Sequence, residues 1–282
     1  MAEAIISILA DTVKITLIVF ALMVFIEYFH LRYYSRLRGG LTGPRWVQYV
    51  VASALGVVPG CVGTFFVVSL YVRGLTTFGA LVAVLLATSG DGAFVMLAKI
   101  PATTPLLFGI CGVVGVAAGF AADALIDRLN VTLCQECRPE VHDEDVPDAK
   151  FSISHFARDH IYNHIIRQHL VSLFLWLLGA FVVLRLVTPY MDVTGLPVSH
   201  VALMFIAAGI GILPESGAHL VFVLLFAEGA IPFSVLLTIS LVQDGHGLLP
   251  LLSASVRDAV YVSVLTAVVG LIVGFAVMAM GY

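Results

Sequence analysis

The stretch that decides the fold occurs twice. Residues 56–92 read GVVPGCVGTFFVVSLYVRGLTTFGALVAVLLATSGDG, and residues 211–247 read GILPESGAHLVFVLLFAEGAIPFSVLLTISLVQDGHG. A shift of 155 residues without gaps aligns the two, with four glycines, one proline and one phenylalanine in register. Apolar residues match by chance in any two membrane helices, but glycine and proline in register do not. The pattern indicates an internal duplication.

The composition is that of a membrane protein. Of 282 residues, 60% are apolar and only 11% are charged, where a soluble domain carries about a quarter. Several apolar runs of about 20 residues or more are long enough to cross a ~30 Å hydrocarbon core as helices. We therefore predict an all-α polytopic protein that is integral to the lipid bilayer. No basic block suggests nucleic acid as a partner.

The chain divides into four predicted regions. Residues 1–127 form a first membrane repeat with its core at 56–97, and residues 170–282 form a second with its core at 211–252. Between them lie a polar linker, 128–154, and an amphipathic surface helix, 155–169.

The two connecting regions carry cysteine and histidine. Cys134 and Cys137 form one C-x-x-C pair, which is either two thiols in a loop or half of a metal site. His160 and His164 stand at i and i+4, so their helix either lies on the bilayer surface or delivers metal.

Shared interruptions of the apolar segments indicate broken helices. Proline removes a helical hydrogen bond and glycine relaxes the backbone. Non-helical backbone at membrane depth survives only inside protein or beside a wet cavity, and such breaks in corresponding segments indicate a transporter's binding site. Ordinary kinks are the alternative. The predicted break residues are Pro59, Gly60, Gly90, Gly92, Pro214, Gly245 and Gly247.

Basic residues predict the topology. Four arginines between residues 32 and 45 place the loop after the first span in the cytoplasm, and basic residues at 150–167 place the linker there too. An even number of crossings must lie between them, which is satisfied if 47–72 is a re-entrant hairpin. The two repeats then have inverted topology. If 47–72 is a full span, the repeats are parallel.

Polar side chains concentrate at these breaks and are the predicted substrate-binding residues. Polar and ionisable groups within a membrane are costly and therefore suggest function, although each could instead hydrogen-bond a broken helix end. They are Cys61, Thr64, Ser89, Asp91, Glu215, Ser216, His219, Gln243, Asp244 and His246. Elsewhere, Asp123 and Asp127 could belong to an exit path, and Asp258 is expected as a helix-end charge.

Part of this set suits a metal ion. Glu215 and His219 share one helix face at i and i+4 and could hold one cation, while Asp91, Asp244 and His246 approach from the other break. This mixture of oxygen and nitrogen ligands suits Mn²⁺, Fe²⁺ or Zn²⁺, and a Cys61 thiolate would favour softer metals. The metal is expected as substrate, with no cofactor.

The residues also carry a resemblance to a known family. The stretch GVVPGCVGTFFVVSLYVRGLTTFGALVAVLLATSGDGAFVML, its second copy and the linking HIYNHIIRQHL resemble the ten-helix heavy-metal exporter family, whose members carry labels such as manganese transporter and arsenic efflux protein. The resemblance implies a metal-export permease of two five-helix halves. Ser216 stands where a cysteine is common and Gly92 where a second acidic residue is common, which argues against a thiol-based arsenite site.

The leading hypothesis is a secondary transporter, not an enzyme, that exports a divalent transition metal such as Mn²⁺ by alternating access from a prokaryotic cytoplasmic (inner) membrane. The sequence has no GxxxxGK[ST] motif, so an ion or proton gradient would supply the energy, with His219 or His246 exchanging a proton for metal. A homo-oligomer is compatible with the sequence.

Two other functions are compatible with parts of the sequence. A permease for an anion or for an organic or arsenical substrate could use helix N-termini, but the acidic residues would repel an anion. An intramembrane aspartyl protease could use Asp91 and Asp244 as a dyad. Thr88 stands where that protease motif requires glycine, and no Pro-Ala-Leu motif follows.

Overall fold

A computed structural model describes residues 40–129, 199–213 and 217–282 continuously. Shorter described pieces, all helical, are 8–10, 12–18, 20–21, 24, 170–171, 174–175, 177–179 and 181–182. The predicted linker beyond residue 129, the predicted surface helix, residues 214–216 and the His246 side chain lie outside the described residues. Within the described part the regular structure is helical, with no strand.

Two groups of helices make up the continuous part. The first half is α1 (Arg45–Val57), α2 (Val62–Val72), α3 (Phe78–Ala87), α4 (Gly92–Lys99) and α5 (Thr104–Leu129). The second half is α6 (His200–Gly211), α7 (Gly217–Ala227), α8 (Phe233–Val242), a 3-10 turn (Gly245–Gly247), α9 (Leu248–Ala254) and α10 (Val256–Ala279). Each half thus holds two interrupted apolar segments, followed by one long helix.

The described interruptions contain the predicted break residues Pro59, Gly60, Gly90, Gly245 and Gly247, whereas the predicted Gly92 is the first residue of α4 and Pro214 lies outside the described residues. In the first half, the first break is residues 58–61 and the second break is residues 88–91. The second break has its counterpart at 243–247, where two non-helical residues precede the 3-10 turn. Gly60, Gly90 and Gly245 have φ values of 103°, 49° and 55°, in the left-handed region that favours glycine.

Helix bounds repeat along the chain with the spacing of the sequence duplication. Helices α2 and α7 both have 11 residues, α3 and α8 both have 10, and the members of each pair begin 155 residues apart. The glycines that follow α2 and α7, Gly74 and Gly229, have φ values of 69° and 71°. The ring pairs Tyr71–Phe78 and Phe226–Phe233 are both T-shaped, with centroids 6.1 and 6.2 Å apart.

Three described helical stretches are long and apolar enough to cross a membrane. They are Phe78–Lys99, which includes the second break, Thr104–Leu129 and Val256–Ala279. Phe78–Lys99 is almost wholly buried, whereas the other two expose most of their length. The interrupted stretch is therefore the centre of the bundle, and α5 and α10 lie at its periphery.

Glycines on the two long helices allow close packing against the centre. A Cβ at Gly119 of α5 would overlap the carbonyl oxygen of Gly79, and one at Gly115 would lie 2.6 Å from the carbonyl oxygen of Ala83. In the second half, a Cβ at Gly270 of α10 would lie 2.5 Å from Cγ2 of Val242. Small residues of this kind let membrane helices approach backbone to backbone.

Replacing Gly119 by alanine tests this packing. We expect Gly119→Ala to destabilise the fold by about 1–3 kcal/mol, because the new methyl group must displace the α3 backbone. Gly109→Ala is the matched control on the same helix, since a Cβ there meets nothing within 4 Å. Thermal unfolding in detergent should lower the melting temperature only for Gly119→Ala; equal melting of both variants would contradict the close α3–α5 contact.

Candidate functional site

Within each half, the breaks are joined by backbone hydrogen bonds. The Gly60 N–H donates to the Gly90 carbonyl oxygen at 3.1 Å, which links the first and second breaks of the first half. In the second half the Asp244 N–H donates to the Gly211 carbonyl oxygen at 3.4 Å, at the end of α6. Within each half, the interrupted segments thus lie against one another.

The two halves meet through reciprocal contacts. Gly92 begins α4, and a Cβ there would lie 2.6 Å from Nδ1 of His219 on α7. Gly247 precedes α9, and a Cβ there would overlap the Cγ2 methyl of Thr64 on α2. Each half therefore places a side chain of its second helix on the glycine at the second break of the other half. Larger residues at these glycines would separate the halves.

Four polar side chains at the breaks of the first half are paired with one another. The Thr64 hydroxyl donates to Oγ1 of Thr88 at 3.1 Å, and the Gly90 N–H donates to the same oxygen at 3.3 Å. The Cys61 thiol donates to Oδ1 of Asp91 at 3.8 Å. All four side chains are buried. The predicted residues Cys61 and Asp91 therefore form one hydrogen-bonded pair, and the predicted Thr64 forms a second pair with Thr88, which was not predicted.

In the second half, Asp244 faces the last long helix. Its carboxylate accepts hydrogen bonds from Ser263 at 2.5 Å and from Thr266 at 3.3 Å, both on α10. Gln243 extends instead across to the first half, where its Nε2 donates to the Ser89 carbonyl oxygen at 3.5 Å. The neighbouring residues Gln243 and Asp244 therefore contact different parts of the structure, the first half and helix α10 respectively.

Several buried polar atoms have no hydrogen-bond partner in the described structure. They are Oγ of Ser89, both ring nitrogens of His219, Oε1 of Gln243 and, on α8, Oγ of Ser234. Ser89, His219 and Gln243 are each at most 2% exposed. Leaving such a group unpaired costs about 1–3 kcal/mol, so each of these atoms needs a partner that the described structure does not supply. Ser89, His219 and Gln243 are among the predicted substrate-binding residues.

The predicted metal ligands are described only in part. Among the described residues, no three histidine, cysteine or acidic side chains are arranged to hold a metal ion. Glu215 and the side chain of His246 lie outside the described residues, as do Ser216 and Pro214. The complete ligand set of Asp91, Glu215, His219, Asp244 and His246 therefore stays a prediction.

Two partners of Asp244 were not predicted. Ser263 and Thr266 are hydroxyl residues at i and i+3 in the apolar helix α10, which places them on one face. That spacing was the available signal. The spacing alone does not say which acidic residue this face contacts, because Asp244 lies 19 positions before Ser263 and 22 before Thr266.

Two other acidic residues tie helices together away from the breaks. Asp123 accepts hydrogen bonds from the Tyr49 hydroxyl and the Gly79 N–H, both at 2.6 Å. Asp258, expected as a helix-end charge, lies in the first turn of α10 but is buried, and it accepts a hydrogen bond from the Tyr71 hydroxyl at 2.9 Å. The Tyr71–Asp258 bond joins the two halves. A place for Asp123 in an exit path stays a prediction.

Comparison with known proteins gives a family for this arrangement. Residues 1–188 and 152–280 both match the family described as "Putative, 10TM heavy-metal exporter". The chain belongs to this family. The predicted resemblance to the ten-helix heavy-metal exporters is thereby confirmed, with a metal substrate and a membrane location at the level of the family. No curated protein and no solved structure matches the chain significantly.

The reciprocal contact of this exporter-family chain can be tested by compensation. We expect Gly247→Ala to destabilise the fold, because its methyl group would overlap Cγ2 of Thr64. Adding Thr64→Ser should restore most of the lost stability, since serine lacks that methyl group and keeps the hydroxyl that reaches Thr88. Thermal unfolding of the single and double variants measures the coupling.

Gly209→Ala is the control for that pair, because a Cβ there meets nothing within 4 Å. It should melt like the unmodified protein, with or without Thr64→Ser. Additive effects of Gly247→Ala and Thr64→Ser would show that the two residues do not touch, and the inter-half contact would then be wrong.

Proposed function

We propose that this protein is a secondary transporter that exports a divalent transition-metal ion such as Mn²⁺ by alternating access. The ion binds where the breaks of two inverted repeats meet. The observation that carries this is a set of buried polar atoms without hydrogen-bond partners, contributed by Ser89 of the first half and by His219 and Gln243 of the second. A family described as heavy-metal exporters supports the class of substrate.

The duplication is supported at several levels. Paired helices of equal length, paired left-handed glycines and paired aromatic contacts all recur at a spacing of 155 residues. The contacts of Thr64 with Gly247 and of His219 with Gly92 exchange under the same shift. Two copies related by an approximate two-fold axis would produce this exchange.

Helix lengths support re-entrant hairpins. Helices α1 and α2 have 13 and 11 residues, so each spans only about 15–20 Å of a ~30 Å core. The chain turns between them so closely that a Cβ at Gly63 would overlap the Leu55 carbonyl oxygen. A hairpin that enters and leaves by the same face satisfies the even number of crossings required by the arginine-rich loop. Hairpins of the two halves then enter from opposite faces.

The chemistry of the donors supports a cation. Three of the unpartnered groups can donate an electron pair to a cation: Oε1 of Gln243, the hydroxyl of Ser89 and one nitrogen of a neutral His219. Asp91 lies nearby, since it precedes Gly92, on which the His219 ring packs. Imidazole with oxygen ligands suits Mn²⁺, Fe²⁺ or Zn²⁺. Glu215 and His246 would complete the shell as the halves move.

Proton exchange is the proposed coupling. A metal ion binds only the neutral imidazole and the ionised carboxylate, so loading the site releases protons and proton binding favours unloading. The proton gradient can then drive the ion outward. Alternating access would open the contacts between the halves first on one face and then on the other, which is the usual movement of transporters with inverted repeats.

Transport assays with variants test the assignment. We expect His219→Gln, Glu215→Gln and Asp244→Asn each to lower Mn²⁺ flux into inside-out proteoliposomes by at least about tenfold. Residues that only hydrogen-bond to a metal ligand already cost about 10–100-fold when they are changed. His200→Gln is the matched control, because His200 is an exposed histidine at the start of α6. It should transport normally.

Calorimetry on the same preparations separates the substrate classes. Binding of Mn²⁺ but not of arsenite or phosphate is the expected result. Undiminished flux in all three site variants would sink the role given to these residues, and binding of an anion alone would favour the permease for anions or arsenicals instead.

A further inference from the structure

One pair of positions is chemically different in the two halves. Thr64 and Thr88 of the first half are displaced by 155 residues from His219 and Gln243 of the second. In both halves the first member lies on the second helix, the second member begins the second break, and both are at most 2% exposed. The two pairs therefore occupy corresponding and equally buried positions, and they differ in their side chains.

In the first half the pair is closed. The Thr64 hydroxyl donates to Thr88, and Oγ1 of Thr88 also accepts the Gly90 N–H. Two short side chains thus satisfy one another and fasten the break. Nothing in this pair requires a ligand.

In the second half the pair is open. Both nitrogens of His219 and Oε1 of Gln243 have no partner in the described structure. Gln243 is nevertheless fixed, because its Nε2 donates to the Ser89 carbonyl oxygen across the interface. The reverse amide orientation would place two oxygens together, so Oε1 is the atom left to accept. The unpartnered hydroxyl of Ser89 belongs to the same residue that holds the amide.

We propose that the substrate lies off the pseudo-two-fold axis, bound by the open pair His219–Gln243 and the Ser89 hydroxyl. The closed pair Thr64–Thr88 is its structural counterpart and binds no ion. The inference rests on the proposed function and narrows its substrate. One imidazole nitrogen and neutral oxygens take a single borderline or hard divalent cation and offer little to a thiophilic one.

The duplication supplies the decisive variant. In His219→Thr/Gln243→Thr the second half receives the pair that the first half already has, facing a glycine as Thr64 does. We expect the double variant to fold with a cooperative thermal melt, because the removal of three unpartnered atoms partly offsets the loss of the Gln243–Ser89 bond and of buried side-chain volume. Its affinity for Mn²⁺ should fall by at least about a hundredfold, since changing a residue that only hydrogen-bonds to a metal ligand already costs about 10–100-fold. His200→Thr is the exposed control and should bind normally.

A charge change at Gln243 tests the sign of the ligand. Gln243→Glu should tighten Mn²⁺ binding, and Gln243→Leu should weaken it, because a carboxylate keeps the oxygen and adds negative charge. Calorimetry should give one Mn²⁺ per chain for the unmodified protein. Weaker Mn²⁺ binding in Gln243→Glu than in Gln243→Leu would overturn the cation assignment.

Different results would contradict the proposed function and the off-axis site. If the unmodified protein neither binds nor transports Mn²⁺, the proposed function is wrong. If it transports Mn²⁺ and the folded double variant binds it equally well, the function stands and the off-axis site is wrong. Two ions per chain would likewise contradict a single site and favour a symmetric pair of sites.

Discussion

The close approach of a side chain to a glycine, made twice between the halves, is the contact on which the rest depends. Thr64 lies on Gly247 and His219 lies on Gly92, with no room for a Cβ in either place. Gly92 begins the short helix after one break, and Gly247 immediately precedes the short helix after the other, so the two contacts lie at both second breaks. The backbone bonds from Gly60 to Gly90 and from Asp244 to Gly211 then hold the neighbouring segments against these points.

A buried junction of this kind is costly, and the two halves meet the cost differently. The first half places short hydroxyl side chains there that satisfy one another, as Thr64 and Thr88 do. The second half places longer side chains there, His219 and Gln243. Both ring nitrogens of His219 and Oε1 of Gln243 have no hydrogen-bond partner in the described structure. The corresponding pairs of the two halves therefore differ in how far their polar atoms are satisfied within the described structure. That difference underlies the proposed off-axis cation site.

Away from the breaks the halves also differ in how their helices are tied. In the first half, Asp123 joins α5 to Tyr49 of α1 and to the start of α3. The positions 155 residues later than Tyr49 and Asp123 are Met204 and Met278, which pack as apolar side chains. Directional hydrogen bonds hold one geometry, whereas flexible methionine accommodates several. Met204 and Met278 therefore lack the directional tie that Tyr49 and Asp123 provide in the first half.

The sequence by itself determined the class of fold, the positions of the breaks and the identity of the polar residues. Each follows from local chemistry: apolar runs require helices in lipid, proline and glycine interrupt them, and polar side chains at such depth are rare. The breaks at 58–61 and 88–91 fall at the predicted Pro59, Gly60 and Gly90. The family resemblance, carried by the same residues, is confirmed.

Only the tertiary structure decided which polar groups meet. The sequence placed Asp244 and His219 in one predicted metal site at two different breaks, which stays a prediction. It did not show that Asp244 accepts hydrogen bonds from Ser263 and Thr266 of α10, or that Gln243 beside it reaches Ser89. Successive residues at a break point in different directions, and no helical period connects them. The partners come from helices far along the chain, and their pairing depends on backbone approach at single glycines. That approach is a property of the packed bundle, which a linear pattern does not contain.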